Sequence, residues 1–405
     1  MLRINNLVGK SAPVRVDPRA LIDDPHAGLA ALRREHPLVQ LAEGQYLVLR
    51  ADDVIPLLSD PRTRQVEGTE YVALNQIPDG ITARFLKDFF IFSDSEQHRA
   101  KRGLFARSFA YKAMLGLRPD VRAVAERIVA ELPRGEMFDF VERMAARVPA
   151  EMIAAILGLP KEDSAFFARR VYTIARAIGP IYPYEHHRAI ENATGELFCY
   201  VAEQIRLRLD RPRDDLLSHL AASWRRDPVM PLESLIFQVI GVIIGGSDTT
   251  RAAFAMLVAL LVQHRDWEAV RADNSLIPGA VAEAMRFDPS VGSVLRVATA
   301  PIEIGNVTVF PGTALRLSTM SALRDPGLYA EPERFDIRRA DHPRLHPVFG
   351  LGPHRCIGET LARIEMEECL AALAANVREV EIRKLPRLSG FGGIREITPM
   401  PVRLH

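Results

Sequence analysis

Phe349-Gly-Leu-Gly-Pro-His-Arg-Cys356-Ile-Gly358 is the stretch on which the reading of this chain turns. Gly350 and Gly352 permit a tight backbone that brings amide groups toward a ligand. Cys356 stands just before Ile357 to about Asn376, a run rich in Ala, Leu and Glu that reads as a strong helix. A helix start offers unpaired N–H groups and a partial positive charge, which stabilise an anion. A cysteine there is expected to ionise readily and to act as a nucleophile or metal ligand. A bare Gly-x-x-x-Cys more often marks an inert buried cysteine at a loop-to-helix junction.

Upstream, Pro231 to about Arg265 reads as one helix of roughly 35 residues, which at ~1.5 Å per residue spans ~50 Å. Its most apolar part, Leu235 to Gly246, is too short to span a bilayer, so a place in the core is expected. Gly245-Gly-Ser-Asp-Thr-Thr250 then weakens the helix interior, by about 1 kcal/mol for each glycine. A kink or a close helix contact would use such a segment. So would an opening beside the helix, with Asp248 and Thr249 handling protons.

Two further pairs sit at helical spacing. Glu283-Ala-Met-Arg286 puts an acid and a base on one helix face. The same spacing recurs at Glu96–Arg99, Glu185–Arg188 and Glu203–Arg206, so its weight comes from its place shortly before a hairpin. In Asp94-Ser-Glu-Gln-His98-Arg-Ala-Lys-Arg102, His98 and Arg102 share a helix face; a solvated basic helix is the plain alternative.

Taken in order from Asp94 to Gly358, these segments resemble the cytochrome P450 family. Phe349 to Gly358 matches its Phe-Gly-x-Gly-x-His-x-Cys-x-Gly loop, and Leu361-Ala-Arg-x-Glu365 resembles the helix that follows in bacterial members. Gly245 to Thr250 is similar to its Ala/Gly-Gly-x-Asp/Glu-Thr-Thr/Ser segment. The resemblance implies a mainly α fold with a minor β portion and a single domain over residues 1–405. It implies a monooxygenase that inserts one atom of O2 into a C–H bond of a small apolar substrate. The cofactor would be haem b, iron protoporphyrin IX, with the Cys356 thiolate as axial metal ligand. Gly245, Phe349 and Gly358 would border it, and His98, Arg102, Arg296 and His354 would bind its propionates. Asp248 and Thr249 would be the catalytic pair. Glu283 and Arg286 would form a buried structural pair closed by Arg334 of Pro332-Glu-Arg-Phe335. Ser95-Glu96-Gln97 replaces the family's usual Pro-Pro-Glu before His98, which leaves that helix start open.

Composition narrows the partners. Lys plus Arg number 52 against 51 Asp plus Glu, for a net charge of +1, so no global field favours nucleic acid or an anionic membrane. The three cysteines, Cys199, Cys356 and Cys369, are not a disulfide framework and cannot supply the usual four thiolates of an iron–sulfur cluster. Cys199 and Cys369 read as inert core residues. The N-terminus lacks an apolar stretch of signal-peptide length, and a cytoplasmic protein without membrane anchor is expected. No Gly-x-Gly-x-x-Gly follows a strand, so electrons are expected from separate proteins, a ferredoxin and its reductase. Arg99, Lys101, Arg107 and Arg355 are the expected docking cations. Phe85, Phe89, Phe90, Val294 and Leu295 are expected substrate contacts; Arg84 or Lys87 could anchor a carboxylate, although surface exposure suits both.

Local signals complete the reading. Tyr46 to Leu49 reads as a strand, with Asp52-Asp53 capping the helix after it. Phe138 to Leu157 reads as helix, stopped at Gly158-Leu-Pro160. Ile302 to Val309 reads as a hairpin around Gly305-Asn306. Four other functions stay open on sequence alone. One is a peroxide-driven haem-thiolate enzyme. A second is a P450-fold dehydratase, isomerase or desaturase. A third is a non-catalytic haem or ligand-binding protein. The last is a zinc protein using His346, His354 and Cys356, for which no convincing fourth ligand exists.

Overall fold

Leu232–Gln263 forms one unbroken helix of 32 residues. It is long and apolar enough to cross a membrane by length and composition, yet 72% of its most apolar window is buried inside the protein. Apart from exposed Leu232 and half-buried Val262, its Leu, Ile, Val and Phe side chains are used up by packing, each worth about 1.5–3 kcal/mol when fully buried. The computed structural model describes residues 7–9, 13–94, 96–106, 108–179, 181–226, 228 and 230–405, residues 7–9 by their backbone. Helix makes up 58% and strand 11%, so the fold is mainly α with a minor β part.

Contacts sort the chain into two compact units. The first holds residues up to Val66, Pro278–Cys356 and Pro386–Thr398; the second holds Glu67–Ile277, Ile357–Leu385 and Pro399–His405. Neither is bounded by a sequence linker, because each is assembled from stretches far apart in the chain.

The second unit is built on the long helix. Arg147–Leu157, Ser164–Ala175, His187–Asp210 and Glu359–Asn376 all pack against it. Glu359–Asn376 also packs on Arg118–Glu131, where Arg118 pairs with Glu367 at 2.7 Å and with Glu368 at 2.6 Å. The first unit is built on a five-stranded sheet in the order Leu38–Ala42, Gln45–Val48, Ala314–Leu317, Val294–Ala298, Thr63–Gln65. Gln45–Val48 and Ala314–Leu317 run parallel, and the other neighbours are antiparallel. The hairpin is Ile302–Ile304 with Val307–Val309, and Gly305 takes the left-handed φ of 57° that its turn requires.

Two local expectations change. The helix after the strand is Ala51–Leu57, with Arg50 as N-cap, so Asp52 and Asp53 lie in its first turn and do not cap it. The carboxylate that serves its start comes from far along the chain: Ala51 N–H donates to Asp325 Oδ2 at 2.8 Å. Phe138 to Leu157 is not one helix. A strand at Met137–Asp139 and a wide turn at Val141–Ala145 precede Arg147–Leu157. Pro149 offers no N–H for a continuous ladder. The stop is as read: Gly158 has φ 76°, and Leu159 N–H donates to Ala154 O at 2.8 Å.

Candidate active site

In the first unit, the loop around Cys356 is closed by its own backbone. Cys356 N–H donates to Phe349 O at 2.8 Å. The intervening glycines make that closure possible: Gly350 and Gly352 have φ of 70° and 67°, in the left-handed region. A Cβ on Gly352 would also stand 2.9 Å from Ser59 Cβ. Arg355 lies over the loop, its Nη1 donating to Gly350 O at 2.8 Å. The Cys356 side chain is exposed. The helix that follows starts at Glu359 with Gly358 as N-cap, so Cys356 lies in the approach to it.

Arg296 sits on the sheet strand Val294–Ala298, opposite Gln65 in register. It is 4% exposed, its Nη2 donates to Leu58 O at 3.1 Å, and its Nη1 donates to Gln65 Oε1. These contacts fix the guanidinium on a rigid element. His354 is half-buried in the Cys356 loop.

The first unit also contains the acid–base pair. Glu283 and Arg286 are both 0% exposed and bonded through both oxygens, at 2.7 and 2.8 Å. Arg286 additionally donates to the carbonyls of Leu323, Pro332 and Arg334. Here the sequence expectation needs correction. Arg334 contributes only its carbonyl; its side chain is 65% exposed and pairs with Glu331. The arginine that closes on Glu283 is Arg339, which is 6% exposed, with Nε 3.1 Å from Oε2. His342 follows, with Nε2 3.5 Å from the same oxygen. Burial holds the His342 imidazole below its ordinary pKa, with Glu283 opposing that shift.

In the second unit, Gly245 to Thr250 stays within the unbroken helix, so the segment is not a break. Gly245 is exposed in the middle of this mostly buried helix, and a Cβ there would meet nothing within 4 Å. Thr249, half-buried one turn on, donates through Oγ1 to Gly245 O at 3.2 Å. Asp248 is buried and paired with Arg251. His98 and Arg102 lie one turn apart on Glu96–Ala106, His98 2% exposed against Phe90 and Arg102 half-buried.

Several expected contacts lie elsewhere. Phe85, Phe89 and Phe90 are 0%, 4% and 5% exposed and form an aromatic cluster with Phe92 and Phe237. They are core in this structure, because Gly241 lets the Phe89 ring lie directly on the long helix. Leu295 is buried and Val294 half-buried in the sheet. Arg84 and Lys87 are exposed and paired with Glu233 and Asp79. Lys101, expected as a docking cation, is 6% exposed with its ammonium on Asp88 at 2.7 Å. Gln238 holds the same Asp88 from the long helix. Arg355 is half-buried on its loop, Arg99 is exposed, and Arg107 lies outside the described residues. Cys199 is exposed on His187–Asp210, not core; Cys369 is buried, and burial pushes its thiol well up.

The sequence reading missed Arg339, Arg251 and Glu365. Arg251 had a usable signal, the Asp-x-x-Arg spacing with Asp248. Arg339 had none to separate it from Arg334 and Arg338. Glu365, the last residue of the Leu361-Ala-Arg-x-Glu365 run, is 1% exposed with Oε1 unpartnered, and burial raises its pKa well above the ordinary value.

Comparisons with known proteins give the family. A family model described as cytochrome P450 matches residues 68–378. The plant-inducible cytochrome P450-pinF1 of Rhizobium radiobacter is 38% identical over 398 residues, covering 96% of this chain and 94% of that protein. Luteothin monooxygenase of Streptomyces thioluteus is 30% identical, covering 90% of this chain and 89% of that protein. Among solved structures, the P450 enzyme CxnD, which forms a C–S bond in chuangxinmycin biosynthesis, superposes with a TM-score of 0.85 at 26% identity, covering 98% of each chain. With the family model and two such relatives spanning nearly all of it, the chain belongs to the cytochrome P450 family of oxidoreductases.

Proposed function

We propose that this chain is a haem-thiolate monooxygenase that inserts one atom of O2 into a small apolar substrate, and that the Cys356 sulfur would hold the haem iron. The observation that carries the reading is an exposed Cys356 residue on a loop closed by the Cys356 N–H to Phe349 O bond. A ligand sulfur needs access and a fixed frame, and an exposed residue on a closed loop supports both.

The remaining residues fit the cofactor on their own terms. The open space beside Gly245 would leave room for haem, and a side chain on residue 245 would take up part of it. His98, Arg102, Arg296 and His354 are cation-forming donors suited to propionates. When bound, haem b supplies the oxygen and electron chemistry. The chain's own part is narrower. Arg296 orients an anionic group from the sheet, and Phe349 and Gly358 bracket the ligand loop. Thr249 holds a hydroxyl beside the open space, and Asp248 passes protons toward it. The Glu283–Arg286–Arg339 cluster fixes the segment that leads into the loop.

The family match runs through both units, which supports treating 1–405 as one P450 domain. Electrons come from a ferredoxin and its reductase, in a cytoplasmic setting. With Lys101 buried, a docking surface has to be sought around Arg99 and away from the helix interior.

The test uses isotopically labelled dioxygen with a ferredoxin, its reductase and NADH, on ligands chosen by their shift of the haem spectrum. One labelled oxygen atom in the product supports the reading. Conversion without label moves the enzyme to dehydration, isomerisation or desaturation, and binding without conversion to a non-catalytic role. Equal turnover with peroxide alone removes the need for redox partners. Thr249→Ala should keep ligand binding while most reducing equivalents appear as peroxide; tight coupling in that variant would count against the role of Thr249.

A further inference from the structure

The long helix carries a charged residue that the family motif does not account for. Arg251 follows Asp248 by three positions, and its Nε donates to Asp248 Oδ1 at 3.1 Å, with Nη2 closing on the same oxygen. Pairs at this spacing are ordinarily solvated and weak. Here the Asp248 side chain is 5% exposed and that of Arg251 12%. A pair this deep has given up its hydration, so its worth lies in fixing a geometry.

A second element holds the arginine. Its guanidinium lies 3.8 Å from the ring centroid of Tyr172, on the helix Ser164–Ala175. Burial pushes the Tyr172 hydroxyl well up, against the pull of Arg251, so the ring is neutral and offers its π face to the cation. The planar guanidinium stacks on that face while its edge points at the carboxylate. A lysine ammonium supplies the charge but neither the fork nor the stacking plane.

Helix geometry separates the roles. At ~100° per residue, Thr249 and Arg251 project from nearly opposite sides of the helix, with Asp248 between them. Arg251 therefore acts on the Thr249 side only through Asp248. We propose that Arg251, seated on Tyr172, is a positioning residue that holds the Asp248 carboxylate in the orientation from which it serves Thr249. This rests on reading Asp248 and Thr249 as the proton-handling pair.

The test compares haem-loaded Arg251→Gln, Arg251→Lys, Tyr172→Leu and Tyr172→Phe with the parent chain. Three quantities are read: ligand Kd from the haem spectrum, kcat with product formed per NADH, and the Asp248 side-chain position in crystal structures. Arg251→Gln and Tyr172→Leu should lower kcat about tenfold or more, the cost of a misplaced group, with Kd unchanged and the Asp248 carboxylate rotated. Tyr172→Phe, which keeps the ring, should recover most of the loss. Arg251→Lys, the mildest change at 251, should fall between. Combining Arg251→Gln with Tyr172→Leu should cost little more than either alone, because both break one clamp. Unchanged kcat and coupling, Asp248 unmoved, equal losses in Kd and kcat, or Tyr172→Phe behaving like Tyr172→Leu would each overturn the proposal. A parent protein that lacks the spectrum of thiolate-bound haem overturns the underlying monooxygenase reading, which is a different failure.

Discussion

Replacing Arg339 and Arg334 by alanine, separately, tests how this chain builds the buried cluster before its cysteine loop. Arg339 Nε contacts both Glu283 oxygens, at 3.3 and 3.1 Å, and its Nη atoms donate to Ala330 O at 2.7 Å and Arg334 O at 3.0 Å. Removing one partner of a buried ion pair costs about 3–5 kcal/mol, because the remaining charge is stranded. Arg286 still holds Glu283 through both oxygens, so Arg339→Ala is expected near the lower figure, about 3 kcal/mol. Arg334 is exposed, and alanine leaves its accepting carbonyl in place, so Arg334→Ala should cost about 0–1 kcal/mol. Guanidinium unfolding of the haem-loaded proteins gives both values from midpoint and slope. Equal costs at the two positions, or an Arg339→Ala cost under about 1 kcal/mol, would refute the reasoning.

Two further predictions concern the second unit. Glu365 has a folded pKa raised by burial, so its contribution to stability is present below the unfolded pKa and is lost as pH rises toward the folded one. Glu365→Gln should therefore gain stability over the parent as pH rises from 5 to 8, read from unfolding midpoints; a gain toward low pH would contradict the sign. A Cβ at Gly241 would stand 2.0 Å from Phe89 Cε2, so Gly241→Ala should cost about 1–3 kcal/mol by overpacking, and Phe89→Leu in the same chain should return part of it. Additive losses in the double variant would place the clash elsewhere.

What was legible in the sequence is what chemistry forces into residue type and order. The Cys356 loop needs its glycines for left-handed backbone, Gly158 ends a helix for the same reason, and the hairpin announces itself at Gly305. What was not legible depends on burial and on contacts between distant stretches. Arg334, Arg338 and Arg339 are the same letter in one short segment, and only packing selects Arg339 for Glu283. Lys101 reads as a surface cation until Asp88 comes up against it. Phe85, Phe89 and Phe90 look the same as core or as pocket wall until Gly241 is seen beneath Phe89. Asp52 and Asp53 fit a local cap, but the group that serves that helix start, Asp325, is 274 positions away. The Asp248–Arg251 spacing was visible; its burial was not.

The most direct test of the account is the absorption spectrum of the reduced, carbon-monoxide-bound, haem-loaded protein. A thiolate from Cys356 should give the red-shifted Soret band of haem-thiolate proteins, and Cys356→Ala should abolish it. An unshifted band in the parent protein, or a red-shifted band that survives Cys356→Ala, would contradict it.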